Sequence, residues 1–175
     1  MTGRVVWITG LSGAGKTTLA QALIRRLGPG IRAILVDGDQ VRALFGDELG
    51  FSEAARHVQI GRLQRLSQWL ADQGQWVVVA ALYSHPDLLA WNRVNLPGYF
   101  EVYLNLPVAL VARRDPKGIY AAAAQGQAKD VVGIDIPWQA PLTPDYVFAP
   151  HMIDDPSIMA EQLLANIPGS LPKND

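Results

Sequence analysis

Along most of the chain, short apolar runs alternate with longer segments whose apolar residues recur at helical spacing. The first run is Val5-Val6-Trp7-Ile8, followed by a Gly-rich turn over Gly10 to Gly15. Leu19, Leu23, Ile24 and Leu27 then share one helical face, which predicts a helix from Lys16 to Leu27 stopped by Gly28-Pro29-Gly30. Ile34-Leu35-Val36 reads as a second strand that ends at Asp37-Gly38-Asp39. A long helix is expected from near Ser52, with Ile60, Leu63, Ser67 and Leu70 on one face and Gly74 at its end. Trp76 to Leu82 is apolar throughout, as a strand covered on both faces must be. Glu101 to Leu106 is a further strand, and a short helix then leads into Arg113-Arg114-Asp115-Pro116. A last strand at Tyr146-Val147-Phe148 and a helix from Ser157 to Ile167 complete the series. Strands alternating with helices imply a parallel sheet covered on both sides, so the expected fold class is α/β, a three-layer sandwich.

Between Asp115 and Pro144 this periodicity fades into Gly, Pro and Ala, apart from an Ala121 to Ala124 run that suits a short helix. So long a connection in a compact domain is commonly a lid or a binding loop.

Composition narrows the picture. With 175 residues, 49% of them hydrophobic, the chain is read as one globular domain over residues 1–175, with the lid at about 115–144. A net charge of −1 argues against a surface that coats nucleic acid. There is no Cys, which excludes a disulfide scaffold, a thiolate metal site and a Cys nucleophile, and which fits a reducing compartment. The opening MTGRVVWITG lacks a signal-peptide core, and the longest apolar run, Trp76 to Tyr83, is far short of the roughly 20 residues of a membrane span. The expectation is a cytoplasmic protein with no nucleic-acid or membrane partner; a homodimer is left open. Trp7, Trp69 and Trp76 are assigned to the core, whereas Trp91 and Trp138 fall nearer the lid. His57, His85 and His151 share no spacing that suggests a metal site.

The chemistry starts at residues 10 to 17, Gly-Leu-Ser-Gly-Ala-Gly-Lys-Thr, a full match to G-x-x-x-x-G-K-[ST]. Glycines let the backbone curl so that successive N–H groups face phosphate oxygens, and the helix opening at Lys16 adds its N-terminal partial charge. Lys16 neutralises the β- and γ-phosphates, and the Thr17 hydroxyl is a Mg²⁺ ligand. The nucleotide site is therefore assigned to Gly10, Leu11, Ser12, Gly13, Ala14, Gly15, Lys16, Thr17 and Thr18. No Asn-Lys-x-Asp follows a later strand, which argues against a switch GTPase, and the chain is short for a motor. A small kinase of a metabolite or nucleotide remains, with a P-loop NTPase-type sheet. Asp37 and Asp39 end the second strand beside the phosphate loop, where one carboxylate can face Mg²⁺ or the attacking hydroxyl and the other can support it. The same residues also suit a turn and helix cap at Gln40.

"GLSGAGKTTLA", "LVDGDQVR", "GFSEAAR", "RRDPKGIY" and "GIDIPWQAP", in this order, resemble adenylylsulfate kinases from about Val5 to Phe148. The resemblance implies transfer of the ATP γ-phosphate to the 3′-hydroxyl of adenosine 5′-phosphosulfate with Mg²⁺, under a closing lid. Asp37 then looks like the carboxylate that activates the hydroxyl and joins Thr17 at the metal, with Lys16 and Asp39 completing the catalytic set. Arg42 and Arg56 would hold the anionic tail, and Phe51 would stack on the acceptor base. Arg114 and Lys117 begin the lid and would approach the ATP, Lys117 also bordering the acceptor. Ser84 aligns with a family Ser once given a covalent role; direct in-line transfer is simpler, and the hydroxyl could instead contact the acceptor.

The chain departs from the family at several of these places. Gln59 replaces an acceptor-contacting Asn, Ala55 and Val58 replace an Asp and a Glu, and His85 replaces a Pro. Ala121 to Ala124 stands where Lys-Lys-Ala-Arg is frequent. The acceptor-facing loop Val131, Val132, Gly133 and Ile134 lacks the family's Phe, which normally closes a clamp on adenine. Base–aromatic stacking is worth about 1–3 kcal/mol per base, so an adenine would be held more weakly here. The Val-Val-Gly loop and "NRVNLPGYFEVYL" are similar to a divergent branch, the cytidine diphosphoramidate kinases of capsule modification. Three readings stand: an adenylylsulfate kinase, a cytidine diphosphoramidate kinase, and an inactive ATP-binding regulator. Retention of the acceptor-side acids argues against the last.

Overall fold

The computed structural model describes residues 3–28 and 30–170. The expected stop at Gly28-Pro29-Gly30 lies partly outside them, at Pro29. Five strands form one parallel sheet in the order β2-β3-β1-β4-β5, made of β1 (Arg4–Thr9), β2 (Ala33–Asp37), β3 (Trp76–Ala81), β4 (Phe100–Leu104) and β5 (Tyr146–Phe148). Parallel strands need crossovers, so the helices lie on the sheet faces and the central strands lose contact with water. All six residues of β3 are buried, as the unbroken apolar run requires.

Helix α1 (Lys16–Arg26) packs on the sheet against α7 (Pro156–Asn166). The long α3 (Glu53–Asp72) lies across β3 and β1 and carries α2 (Gly38–Leu44) and α4 (Pro86–Asn95) beside it. Three caps set these entries: Asp37 accepts from the N–H groups of Asp39 and Gln40, Ser52 from Ala55, and Asp155 from Ser157 and Ile158. Helix α5 (Val108–Arg114) leads into the 115–144 segment expected to form a lid (hereafter the lid), which holds the Ala-rich α6 (Ile119–Ala124). Among the described residues no helix is long and apolar enough to cross a membrane.

The structure departs from expectation in two places. Trp69, assigned to the core, is 62% exposed. The inner stripe of α3 runs through Ile60, Leu63, Gln64, Ser67 and Ala71, and Trp69 follows Ser67 by two positions, about 200° around the helix. Trp7 and Trp76 are buried as expected. Helix α4 was not foreseen, because only Leu89 and Asn92 are buried along it and its apolar stripe is thin. Its start does carry a signal: Pro86 occupies the first turn and the His85 ring accepts from Asp87 N at 3.3 Å.

Candidate active site

The C-terminal ends of β1, β2 and β3 open onto a cavity of about 740 Å³, with the phosphate loop on one side and α3 and the lid on the other. Crevices at the carboxyl ends of parallel strands are where ligands bind in open α/β sheets.

On the phosphate-loop side, Ser12, Gly13, Gly15, Lys16, Thr17 and Thr18 line the cavity. Gly13 and Gly15 have φ of +77° and +95°, a left-handed region that disfavours side chains. A Cβ on Gly13 would also come within 3.3 Å of Pro116 at the base of the lid. Helix α1 begins at this loop without a side-chain cap, so its first N–H groups remain available to an anion. Gly10, Leu11 and Ala14 do not line the cavity; they back the loop, with Leu11 and Ala14 buried. Lys16 donates to the Leu11 carbonyl at 2.8 Å. Burial, then the Lys117 ammonium, pulls its pKa down to about 8 against the opposing pull of Asp39 and Asp37.

At the end of β2, the cap and site readings of Asp37 coexist because its two carboxylate oxygens divide the work. Oδ1 accepts from Asp39 N at 2.9 Å and Gln40 N at 3.3 Å, while Oδ2 accepts from the Thr17 hydroxyl at 2.6 Å. The side chain is 5% exposed, and the cap fixes the rotamer that meets Thr17. Asp39 is exposed and forms an ion pair with Lys117, which ties the lid to the β2 turn. A second tie runs from the Tyr120 hydroxyl to the Ser12 carbonyl at 3.3 Å.

The opposite side, where the acceptor residues were expected, is assembled from distant segments. The Phe51 ring lies under two guanidinium groups, Arg42 at 4.6 Å and Arg56 at 5.7 Å. Arg42 donates to the Gly50 carbonyl at 2.6 Å and Arg56 to the Asp130 carbonyl at 2.7 Å. Burial, and then Arg42, lowers the Arg56 pKa. Gln59 is buried and donates to the Gly38 carbonyl at 2.9 Å, joining α3 to the Asp37 turn. Val131 and Val132 line the cavity and are buried. The Val131 carbonyl accepts from the N–H groups of Ile134, Asp135 and Ile136, which makes this loop a compact knot.

The cavity thus gathers Lys16, Thr17, Thr18, Asp37, Asp39, Arg42, Phe51, Arg56, Gln59, Arg114, Lys117, Val131 and Val132. Three other expected residues stand outside it. Gly133 sits over Leu11 and Val108, Ile134 is 52% exposed, and Ser84 is 2% exposed with no hydrogen-bond partner for its hydroxyl among the described residues. Sequence reasoning missed Tyr83, which lines the cavity; its hydroxyl donates to Glu53 at 3.4 Å, and burial followed by Glu53 raises its pKa. Its place at the tail of the β3 apolar run was the available signal. Tyr120 gave none, because nothing local marks a lid tyrosine that reaches back over 108 positions. Trp138 stacks on Tyr103 rather than entering the cavity, and His57 faces the rings of Tyr83 and His85.

Residues 2–149 match the family model for adenylylsulphate kinase. The adenylyl-sulfate kinase of Deinococcus deserti is 41% identical over 145 residues, 82% of this chain and 80% of that protein. A probable adenylyl-sulfate kinase of Bacillus subtilis is 36% identical over 146 residues, 82% of this chain and 73% of that protein. Among solved structures, the APS kinase of Mycobacterium tuberculosis in complex with AMPPNP and APS is similar with a TM-score of 0.87 and 36% identity, covering 94% of this chain and 97% of that one. With its P-loop α/β sheet, this chain belongs to the adenylylsulphate kinase family of nucleotide kinases.

Proposed function

We propose that the protein transfers the γ-phosphate of ATP to the 3′-hydroxyl of adenylylsulfate. The observation that carries the reading is the Asp37 carboxylate, held by Thr17 of the phosphate loop at the junction between a phosphate cradle and an arginine-rich acceptor wall. ATP would lie with its phosphates against the loop N–H groups and Lys16, close to Arg114. The acceptor would place its 3′-hydroxyl at Asp37, its base against Phe51, and its phosphosulfate near Arg42 and Arg56. Asp37 can take the hydroxyl proton as the new O–P bond forms and the bond from the γ-phosphorus to the β,γ-bridging oxygen breaks, releasing ADP, and Lys16 offsets negative charge on the transferred group. Lys117, now on Asp39, is within lid reach of the same point.

The Thr17 hydroxyl and the Asp37 carboxylate offer two oxygen donors 2.6 Å apart, the hard donor set that Mg²⁺ takes beside nucleotide phosphates. These two residues would hold it, and when bound it supplies charge neutralisation at the β- and γ-phosphates.

A cytidine nucleotide with a diphosphoramidate tail is the second reading, favoured by Val131 in the cavity wall where the family's ring would stand. One assay tests both: purified protein with MgATP and either adenylylsulfate or the cytidine acceptor, with the 3′-phosphorylated product resolved chromatographically. Turnover on adenylylsulfate alone supports the first reading, turnover on the cytidine acceptor alone replaces it, and no product from either removes both.

A further inference from the structure

Outside the cavity, a buried polar network surrounds Glu101, a carboxylate inside the sheet that the proposed reaction does not use. Glu101 is 2% exposed on β4 and accepts from the Tyr99 hydroxyl at 2.7 Å. Tyr99 accepts from Asn92 at 3.2 Å, and Asn92 from Gln64 of α3 at 2.8 Å. Burial raises the Glu101 pKa. The cation that answers it is Arg93 of α4, 3.6 Å away.

Arg93 does more than neutralise Glu101. Its guanidinium donates to the Thr143 carbonyl at 2.6 Å and to both Asp145 carboxylate oxygens at 3.3 and 3.2 Å. Asp145 in turn accepts from Glu101 N at 2.7 Å, so residues 143–145 are clamped to the sheet edge from two directions. These residues are the limb by which the chain returns from the lid to β5. A second pin stands just upstream, where the Trp138 indole donates to the Tyr103 hydroxyl at 3.1 Å. Between the pins and the cavity lies the knot of Val131 to Ile136, closed by the Val132–Ile136 bridge. At its other end the lid is tied by Lys117 to Asp39 and by Tyr120 to the Ser12 carbonyl, and Arg56 holds the Asp130 carbonyl just before the wall, so the clamp on the return limb fixes the side of the wall that Arg56 does not.

We propose that Arg93 is a positioning residue for the acceptor site: by clamping the return limb, it sets the height of the Val131–Val132 wall over the cavity. A gap of about 0.5–1 Å at an apolar wall forfeits roughly a quarter to a half of the dispersion attraction there, which weakens binding without touching the reacting groups. A guanidinium suits the task because its fixed fork reaches a carbonyl and a carboxylate together.

The test is kinetic and structural, run well below the unfolding midpoint of each variant. Arg93→Met keeps the side-chain stem but loses every donor; it should raise KM for adenylylsulfate about tenfold, with kcat and KM for ATP within about threefold. In the ligand-free protein, amide exchange over residues 130–136 should accelerate at least tenfold. Arg93→Lys should recover part of both effects. Glu101→Gln removes the buried charge and leaves the clamp, so acceptor KM should stay within about twofold. Should Arg93→Met fail to fold, Asp145→Ala carries the same expectations. An unchanged acceptor KM and unchanged exchange overturn the proposal, as does an equal effect from Glu101→Gln. This inference rests on the proposed acceptor only for its kinetic arm: if the wild type does not use adenylylsulfate, that reading fails while the exchange arm still decides the clamp.

Discussion

The two walls of the cavity are built by different rules. The wall proposed as the donor side is one contiguous loop whose shape comes from glycine backbone angles and which presents backbone N–H groups at the start of α1; the opposite wall is the one proposed for the acceptor. The acceptor wall joins Arg42, Phe51, Arg56, Gln59 and the Val131 loop, and its polar members are spent on backbone carbonyls of other segments, at Gly50, Asp130 and Gly38. A wall made of one loop survives sequence change elsewhere, provided its own residues stay. A wall made of cross-links changes shape whenever one segment drifts. The departures that the family resemblance implies follow this division: residues 10–17 are a full motif match, whereas Gln59 and Val131 are positions where the resemblance leads one to expect Asn and Phe.

The largest expected effect lies on the donor wall. Lys16→Ala should leave no turnover above background in a coupled assay, and activity within a few-fold of wild type would mean that the loop is not the donor site. The charge itself can be titrated. Since burial and Lys117 pull the Lys16 pKa down to about 8, the free protein loses this positive charge as pH rises through that value. Affinity for a non-hydrolysable ATP analogue, measured calorimetrically from about pH 6.5 to about 9.5, should therefore weaken on the alkaline side. A flat profile would mean that Lys16 keeps its charge across this range, so that its pKa is not drawn down.

Asp37 belongs to both walls, so its substitution should separate chemistry from construction. In Asp37→Asn the amide keeps an oxygen for the Asp39 and Gln40 N–H groups, and the helix cap survives. Loss of the proton acceptor should lower kcat by on the order of 10²–10⁴. Thermal unfolding should move by only a few degrees. An unaffected kcat would return Asp37 to a purely structural role.

How much of this was legible in the sequence follows the same division. The strands, the phosphate loop and α3 are written locally, as an unbroken apolar run at Trp76 to Leu82 or a fixed spacing of Gly, Lys and Thr. The residues proposed for the acceptor could be singled out only through family resemblance, because their partners lie far off: Arg56 meets a carbonyl 74 positions away and Lys117 an acid 78 positions away. Helix α4 stayed hidden because it buries Asn92 for a polar network rather than a full apolar stripe. Trp69 was misplaced because size and apolarity say nothing about which side of α3 a residue occupies. Tyr120 reaches the loop through the lid's fold, which no periodicity records.

A smaller effect is expected where the acceptor wall departs from its relatives. Val131→Phe would restore an aromatic face toward the base. The backbone of that loop is fixed by the bonds to the Val131 carbonyl, and the side chain already borders the cavity. With stacking worth about 1–3 kcal/mol, KM for adenylylsulfate should fall roughly tenfold. No change would place the base elsewhere. A rise would show that the space is already filled, which favours the smaller pyrimidine acceptor.

The smallest effect is the one expected at Ser84, and it fixes where the acceptor wall ends. Its hydroxyl is buried, does not border the cavity, and has no partner among the described residues. A buried hydroxyl without a partner costs desolvation and returns nothing, so Ser84→Ala should be neutral or slightly stabilising. Turnover should stay within about threefold of wild type, because neither a covalent step nor an acceptor contact is lost. A loss beyond about tenfold in kcat with an unchanged unfolding midpoint would bring this hydroxyl into the reaction. The wall would then extend past Tyr83 to the cap of α4, and His85 beside it would become the next residue to substitute.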